Sequence, residues 1–214
     1  MTAETIFLNF ILDRPVGPVF IHSIAMNSKD TKKDHLLEIA SQLFYKQGYH
    51  ATGIKQIIDA AGIAKGTFYS HFKSKEELGV AWLQKRHREW NEWRENYIAQ
   101  KSGAPREQLL SLFAFLGQWM SECDYRGCAF LNTMAETPDA NSPLRKEVQN
   151  HKDGLRYFIR RRVDSIFSEA TDLENEQKAD VIFLLFESAL VESQNFRSKW
   201  PIDIASKHVT ALLA

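Results

Sequence analysis

The chain has few of the residues that mark several classes of small protein. Only two of its 214 residues are cysteines, Cys123 and Cys128, and this single CxxxxC pair supports neither a zinc site nor a disulfide framework. So few cysteines favour a reducing, cytoplasmic compartment. Lys plus Arg (27) equals Asp plus Glu (27), and the net charge of zero argues against a uniformly basic surface. A local basic patch remains compatible with this balance.

Long hydrophobic runs are also missing. The apolar stretch 6–12 is interrupted by Asn9 and preceded by no Lys or Arg, so it is too short for a bilayer and unlike a secretory signal. Pro15 and Pro18 then disfavour a helix. We expect residues 1–27 to be a flexible extension whose first 25 residues reflect a mis-assigned start, with Met26 as the natural first residue. The alternative is an arm that packs on the body or contacts DNA.

Beyond residue 28 the apolar residues recur with helical spacing, as in Leu36, Ala40, Leu43 and Phe44. No segment alternates with a period of two between hairpin turns, so the sequence predicts an all-α fold without a sheet. A first helix is predicted to end near Gly48. Thr52 is the predicted N-cap of the short helix 53–61, which is followed by a short helix 65–72 and by a longer one that ends near residue 99. Further helices are predicted at 105–122, 127–136, 143–169, 174–196 and 202–213, with capping boxes Ser74–Glu77 and Thr171–Glu174.

The short helices 53–61 and 65–72, joined through Gly62, are typical of a helix-turn-helix motif, whose second helix enters the DNA major groove. The local charge agrees with this interpretation. Residues 26–88 hold eleven cationic and six anionic side chains, so this part carries +5 and the remainder −5. A positive head on a negative body favours phosphate binding by one end of the molecule.

Two segments, LFYKQGYHATGIKQI (43–57) and AGIAKGTFYSHFKSKEEL (61–78), resemble the amino-terminal domain of TetR-family transcriptional repressors. The resemblance covers about residues 30–80. It implies a DNA-binding domain at 28–76 and a larger helical domain at 77–214 that binds ligand and dimerises through the two carboxy-terminal helices. It further implies that ligand binding releases operator DNA.

Eight residues of the motif are predicted to contact DNA. Lys65 and Thr67 lie where base edges are reached, and Gly66 permits close approach of the backbone. Tyr69, His71 and Lys75 resemble the family's phosphate contacts, because each can donate a hydrogen bond to a phosphate oxygen. The remaining two residues belong to the preceding helix. Thr52 and the free N–H groups at the amino terminus of that helix can bind a phosphate, and Lys55 can touch a base or the backbone.

The larger domain is rich in aromatic residues, which either pack its core or line a pocket for a small apolar molecule. The candidate pocket residues are Phe113, Trp119, Phe130, Met134, Phe158 and Phe183. Cys128, in a segment that resembles electrophile-sensing members of the family, is a candidate redox residue or a buried small side chain. A basic cluster at Arg156, Arg160, Arg161 and Arg162 is interpreted as a face paired with acids, or as an anion site.

These observations predict a ligand-responsive transcriptional regulator, by family default a repressor, that binds palindromic operator DNA as a homodimer. A small-molecule inducer is expected, and no cofactor, metal or membrane contact. No phosphate-binding loop, metal-ligand set or nucleophile elbow is found, so an enzyme is not expected. The alternatives are a repressor that senses electrophiles or oxidants through Cys128, and a helical interaction protein that binds no DNA.

Overall fold

The computed structural model describes residues 28–101 and 103–214, with side chains from Thr31 onward, so the expectations for residues 1–27 lie outside the described residues. Within that part of the chain every regular element is a helix, as predicted. The helices are α1 (Ser28–Gln47), α2 (Ile54–Ala61), α3 (Lys65–His71), α4 (Lys75–Ala99), α5 (Pro105–Glu122), α6 (Ala129–Glu136), α7 (Pro143–Ile166), α8 (Asp172–Phe196) and α9 (Trp200–Leu212). None of these helices is both long and apolar enough to cross a lipid bilayer.

Helices α1 to α3 form a small head around one apolar core. Phe44 of α1, Ile57 of α2 and Phe68 of α3 are each at most 2% exposed, so the three helices are held together by these side chains. Gly62 ends α2 with a left-handed φ of 63°, which allows the tight turn into α3. The head therefore has the helix-turn-helix geometry that the sequence predicts.

Helix α4 belongs to both parts of the molecule. Ser74 caps its start by accepting a hydrogen bond from the Glu77 backbone N–H at 3.0 Å. In its first half Trp82 contacts Phe44 of the head, with ring centroids 5.1 Å apart. In its second half Trp90 packs into the body, where α4 contacts α5 and α7. The predicted division between residues 76 and 77 therefore falls inside one continuous helix.

The body, α5 to α9, is built around α5, which contacts α4, α7, α8 and α9. Its apolar residues are almost fully buried, including Leu109, Leu112 and Phe115 at 0% exposure. Helix α8 begins with the predicted capping box, in which the Thr171 hydroxyl accepts from the Glu174 N–H and the Glu174 carboxylate accepts from Thr171.

One local expectation, Thr52 as the N-cap of α2, is wrong. Gly53 occupies the N-cap position of α2, because the Thr52 side chain turns inward and is fully buried. Helix α6 begins at Ala129, after Gly127 adopts a φ of 83° that interrupts helical geometry. The other predicted ends agree with the structure to within about three residues, the usual scatter of helix ends.

Candidate DNA interface and ligand-binding body

Helix α3 has one buried and one exposed face. Phe68 is 0% exposed and anchors the helix to the head, whereas Lys65, Gly66 and Tyr69 are exposed. A side chain added at Gly66 would meet nothing within 4 Å, so the backbone here is open to an approaching molecule. Thr67 and His71 are half-buried on the flanks of this face. Five predicted DNA-contacting residues therefore lie on one short helix, and three of them are fully presented to solvent.

Helix α2 supplies one further exposed cation and one residue that does not reach the surface. The Lys55 side chain is 93% exposed and lies 3.9 Å from Asp59. Thr52 was expected at the interface, but its hydroxyl donates to the Gly48 carbonyl at 2.7 Å and accepts from Gln47 at 3.0 Å. With both hydrogen-bonding roles satisfied inside the head, the Thr52 side chain supports the start of α2 and does not face solvent.

Lys75 is more constrained than the sequence suggests. Its Nζ donates to the His50 carbonyl at 3.1 Å and lies 4.6 Å from the centre of the Tyr49 ring. Burial lowers the pKa of Lys75, and the nearby Glu136 carboxylate opposes that shift. Lys75 therefore lies at the junction of head and body and is less free than Lys65 or Lys55 to meet a phosphate.

The head and the body are joined by hydrogen bonds that no sequence motif predicts. The Glu136 carboxylate, at the end of α6, accepts a hydrogen bond from the His50 backbone N–H at 2.5 Å. The Tyr45 hydroxyl donates to the carbonyl of Gly127 at 2.8 Å. These partners are separated by 86 and 82 residues, so only the tertiary fold brings them together. The head therefore contacts α6 and the segment that precedes it, in addition to α4.

The structure brings together three of the six predicted pocket residues. Trp119 contacts the Trp90 ring at 5.8 Å, and Phe130 stacks on His151 with ring centroids 3.7 Å apart. His151 in turn lies 5.0 Å from Trp90. Phe158 joins this group through Arg94, whose guanidinium lies over both the Phe158 and Trp90 rings. Together these side chains form an aromatic cluster inside the body, between α4, α5, α6 and α7.

The other three predicted pocket residues lie apart from the aromatic cluster. Phe113 is buried and packs on Phe186 at 5.7 Å, as part of the α5–α8 contact. Met134 is 36% exposed on α6. Phe183 is half-buried on α8, with Arg156 at 6.0 Å from its ring. The sequence could not separate these positions, because helical periodicity does not say which buried face meets which helix.

A pair of histidines borders the aromatic cluster. His151 is 3% exposed, and its Nδ1 lies 3.1 Å from Nδ1 of His87. Burial lowers the pKa of His151 to about 2, and the charges of Lys152, His87 and Arg94 act in the same direction. Burial also lowers the pKa of His87. Both rings are therefore neutral at physiological pH, which suits their packing against aromatic groups.

Cys128 is buried, with 2% exposure, at the N-cap position of α6. Its Sγ accepts a hydrogen bond from Nζ of Lys152 at 3.9 Å, and that ammonium also pairs with Glu187 at 2.6 Å. Arg126, two residues before Cys128 in the chain, has its guanidinium 6.0 Å from the Tyr45 ring centre. The structure thus supplies a cation for the sulfur but not the solvent access that a reactive thiol requires.

The arginine cluster of α7 divides into surface and interior members. Arg156 pairs with Asp180 at 2.7 Å, and Arg160 pairs with both Asp164 and Asp172. Arg162 turns toward the interior, with its guanidinium 3.6 Å from the centre of the Phe158 ring. The interpretation as a face paired with acids therefore applies to Arg156 and Arg160. Among the described residues, no group of three or more His, Cys, Asp or Glu side chains is placed to hold a metal ion.

Comparison with known proteins identifies both parts of the chain. Residues 36–81 match the family described as "Bacterial regulatory proteins, tetR family", and residues 105–209 match "Tetracyclin repressor-like, C-terminal domain". The HTH-type transcriptional repressor NemR of Escherichia coli is 25% identical over 194 residues, covering 85% of this chain and 94% of NemR. The HTH-type transcriptional repressor KstR2 of Mycolicibacterium smegmatis is 36% identical over 83 residues, covering 39% of this chain and 40% of KstR2.

Solved structures share the fold. A TetR-family transcriptional regulator from Streptomyces coelicolor superimposes with a TM-score of 0.77 at 23% identity, covering 86% of this chain and 95% of that one. The reduced form of Escherichia coli NemR gives a TM-score of 0.73 at 24% identity, covering 86% of this chain and 97% of that one. Head and body together are therefore arranged as in a known group of helical proteins.

Proposed function

Because this chain belongs to the TetR family of transcriptional regulators, we propose that it is a ligand-responsive repressor that binds palindromic operator DNA as a homodimer. A small-molecule inducer binds in the body and releases the DNA. One observation carries the proposal most directly: α3 buries Phe68 completely while presenting Lys65, Gly66 and Tyr69 to solvent. A helix fixed by one face and polar on the other is what insertion into a major groove requires.

The DNA contacts that we propose follow from this exposure. Lys65 and Thr67 reach base edges, while Lys55, Tyr69 and His71 donate to phosphate oxygens. Lys75 contributes less, because the His50 carbonyl and the Tyr49 ring already hold its ammonium group. Thr52 contributes through the α2 amino terminus, whose backbone N–H groups it helps to position.

The homodimer is supported by apolar side chains that the body leaves exposed on its last two helices. Val181 and Leu184 of α8 are 45% and 62% exposed, and Ile204 of α9 is 46% exposed. Their burial against a second copy would remove this apolar surface from water. Two heads on one dimer would then meet successive major grooves about 34–36 Å apart, which explains a palindromic site.

The proposed switch has two routes from body to head. Helix α4 is shared by both parts, and Glu136 at the end of α6 bonds directly to the His50 backbone. An inducer that prefers one arrangement of α4 and α6 shifts the heads away from the operator spacing only through its differential affinity for the two states. We place this activity in the cytoplasm, and we assign the protein no enzymatic role, since its curated relatives are transcriptional regulators.

The test is to select DNA from a random pool with the purified full-length protein and to footprint the selected sequence. A palindromic site with two protected half-sites supports the proposal. Lys65→Ala is expected to weaken operator binding roughly tenfold and to reduce the slope of log K against log salt by about one if Lys65 also neutralises a phosphate. Lys146→Ala, an exposed lysine of α7, is the matched control and should leave both quantities unchanged. A folded protein that enriches no sequence at low salt contradicts the proposal.

Cys128 supports a second candidate, in which the same repressor responds to electrophiles or oxidants. The supporting observation is the Lys152 ammonium beside its Sγ, because reactive cysteines occur in cationic surroundings. The 2% exposure of Cys128 requires α6 to move before the sulfur can react. Operator release by N-ethylmaleimide in the wild type but not in Cys128→Ser would favour this candidate. Alkylation of Cys128 without operator release eliminates it.

A further inference from the structure

Arg94 is a buried cation whose hydrogen-bonding capacity is largely unused. Its side chain projects from α4 into the body and is 5% exposed. Nη2 donates to the Glu95 carboxylate at 3.2 Å, but Nε and Nη1 are buried and find no hydrogen-bond partner among the residues that the structure describes. Buried guanidinium groups are normally paired through several of their five N–H donors, since leaving them unpaired is costly. An acceptor that none of the described residues supplies would complete the site.

The surroundings of Arg94 favour a flat, apolar partner. Its guanidinium lies 5.1 Å from the Trp90 ring centre and 4.4 Å from the Phe158 ring centre. Trp90, one helical turn earlier on α4, also buries an indole N–H without a partner. Two buried side chains with unpaired donors are therefore in contact, with the Arg94 guanidinium over the Trp90 ring. A neutral hydrocarbon ligand could pack against the rings but would leave every one of these donors unsatisfied.

The charges around Arg94 favour an anion. Arg162 contacts the Phe158 ring at 3.6 Å, so two guanidinium groups approach the same aromatic side chain. Glu95, the acid that pairs with Arg94, has 67% of its side chain exposed, and water therefore weakens its compensation of the buried charge. Burial lowers the pKa of Arg94 to about 10, and Arg162 acts in the same direction. At neutral pH Arg94 nevertheless remains a cation.

We infer that Arg94, with the Trp90 indole N–H, anchors the carboxylate of a small aromatic acid, and that such acids are the inducer class of this protein. A carboxylate can accept from the guanidinium and the indole while the aromatic part packs on Phe158 and Trp119. The inference rests on the proposed function, because it names the ligand of that repressor. Both anchors lie on α4, the helix that also packs against the head, so the ligand acts on the element that carries the signal.

The experiment measures binding of four acids, benzoate, phenylacetate, cinnamate and salicylate, to the full-length protein. Each acid is compared with its own primary amide, which has nearly the same shape but no charge. Quenching of tryptophan fluorescence and the shift in Tm report binding, and the Arg94 variants report whether binding is at this site. At least one acid is expected to bind ten times or more tightly than its amide, because the amide cannot form the charge-assisted bond.

Arg94→Met tests the anchor, and Arg161→Met, at an exposed arginine of α7, is the matched control. Arg94→Met is expected to abolish the preference for acid over amide while leaving the Tm without ligand unchanged or higher, since a buried charge with incomplete hydrogen bonding and only one exposed acidic partner has been removed. A purely structural arginine would instead lower the Tm. Arg94→Gln, which keeps donors without the charge, should lose the same preference. The control should behave like the wild type.

The inference is overturned if no acid binds more tightly than its amide, or if the two Arg94 variants keep the preference. Its failure can be distinguished from failure of the proposed function by measuring DNA binding in parallel. If the protein binds its operator but none of the acids affects that binding, only the assignment of aromatic acids as inducers is contradicted. If the protein binds an acid through Arg94 but selects no DNA, the anion site is supported and the proposed function as a repressor is contradicted.

Discussion

Some buried polar side chains of the body form hydrogen bonds within the fold, and others do not. Thr133, at 1% exposure, donates to the Ala129 carbonyl one helical turn earlier, so its burial carries little penalty. Arg94 and the indole of Trp90 are equally deep but retain unpaired donors. Among the described residues, buried side chains without a hydrogen-bond partner also occur at Trp82, Thr137, Asn175 and Ser193, whereas Trp90 and Arg94 lie one helical turn apart and in contact.

His151 makes a pH-dependent contribution to stability. Its pKa is about 2 in the folded protein and about 6.5 in an unfolded chain, so acidification below 6.5 protonates only the unfolded state. Stability is therefore complete above pH 6.5 and falls with decreasing pH. Between pH 7.5 and 5.5 we expect the free energy of unfolding to drop by about 1.4 kcal/mol from this residue, with His87 acting in the same direction.

Urea denaturation at the two pH values measures this effect. His151→Gln should remove most of the difference between them, whereas His35→Gln, at an exposed histidine of α1, should preserve it. Equal pH dependence in the wild type and in His151→Gln would show that His151 is already able to take up a proton in the folded state.

Individual residues show where sequence reasoning reached its limit. Phe68 and Phe72 lie four apart in the sequence, a spacing that indicates one buried helical face, and both are buried. Thr52 was a sound candidate for an N-cap by residue type, but the Gly48 carbonyl and Gln47 engaged its hydroxyl instead. Arg94 carried a weak signal, an arginine four residues after Trp90 and four before Ile98 on an apolar face. Only the structure shows that its donors lack partners.

At the scale of elements, helix existence and order were predictable and helix ends less so. The Thr171–Glu174 capping box and Pro105 and Pro143 at helix starts mark boundaries that the structure reproduces closely. The junction of head and body could not be predicted, because the Glu136–His50 bond joins residues that are remote in the chain and of ordinary type. The structure also extends the head into α4, beyond the sequence-based boundary at residue 76.

Ser74 allows a test of the cap that begins α4. Ser74→Ala removes the hydrogen bond from the Glu77 N–H and is expected to lower the free energy of unfolding by about 1 kcal/mol. For a chain of this length that corresponds to a fall in Tm of roughly 2–4 °C, measurable by calorimetry. Ser168→Ala, at an exposed turn after α7, is the control. A Tm that does not change in Ser74→Ala would mean that α4 begins stably without this cap.

At the scale of the whole molecule, the exposed apolar surface of α8 and α9 explains why the proposal needs two copies of the chain. Leu184 projects from the middle of α8 with 62% of its surface in contact with water. Side chains of this size are uncommon on the outside of a monomer when several lie on neighbouring helices. A second head also supplies most of the operator affinity, because two linked contacts bind far more tightly than one.

Leu184→Asp is expected to convert the dimer to a monomer of 24.7 kDa, since it would bury charges between the two copies. Operator affinity should fall by about a hundredfold or more while helix content is retained. Light scattering coupled to gel filtration, circular dichroism and operator binding together measure the change. Ala140→Asp, in the exposed loop before α7, should remain dimeric. A monomeric wild-type protein would contradict the assembly itself.

The shared helix α4 has a consequence for exchanging DNA specificity between relatives. Lys85 pairs with Glu38 of the head and Arg86 covers the Tyr45 ring, whereas the next residue, His87, contacts His151 of the body. A chimera joined at residue 76 would give the head a foreign Leu78 and Trp82, and so a mismatched core. Gln84 donates to Glu147 of the body at 3.0 Å, so contacts to head and body alternate along an uninterrupted helix and no single residue separates them. An exchange of the head between relatives therefore has to include the part of α4 that packs against it, although that same helix also packs against the body.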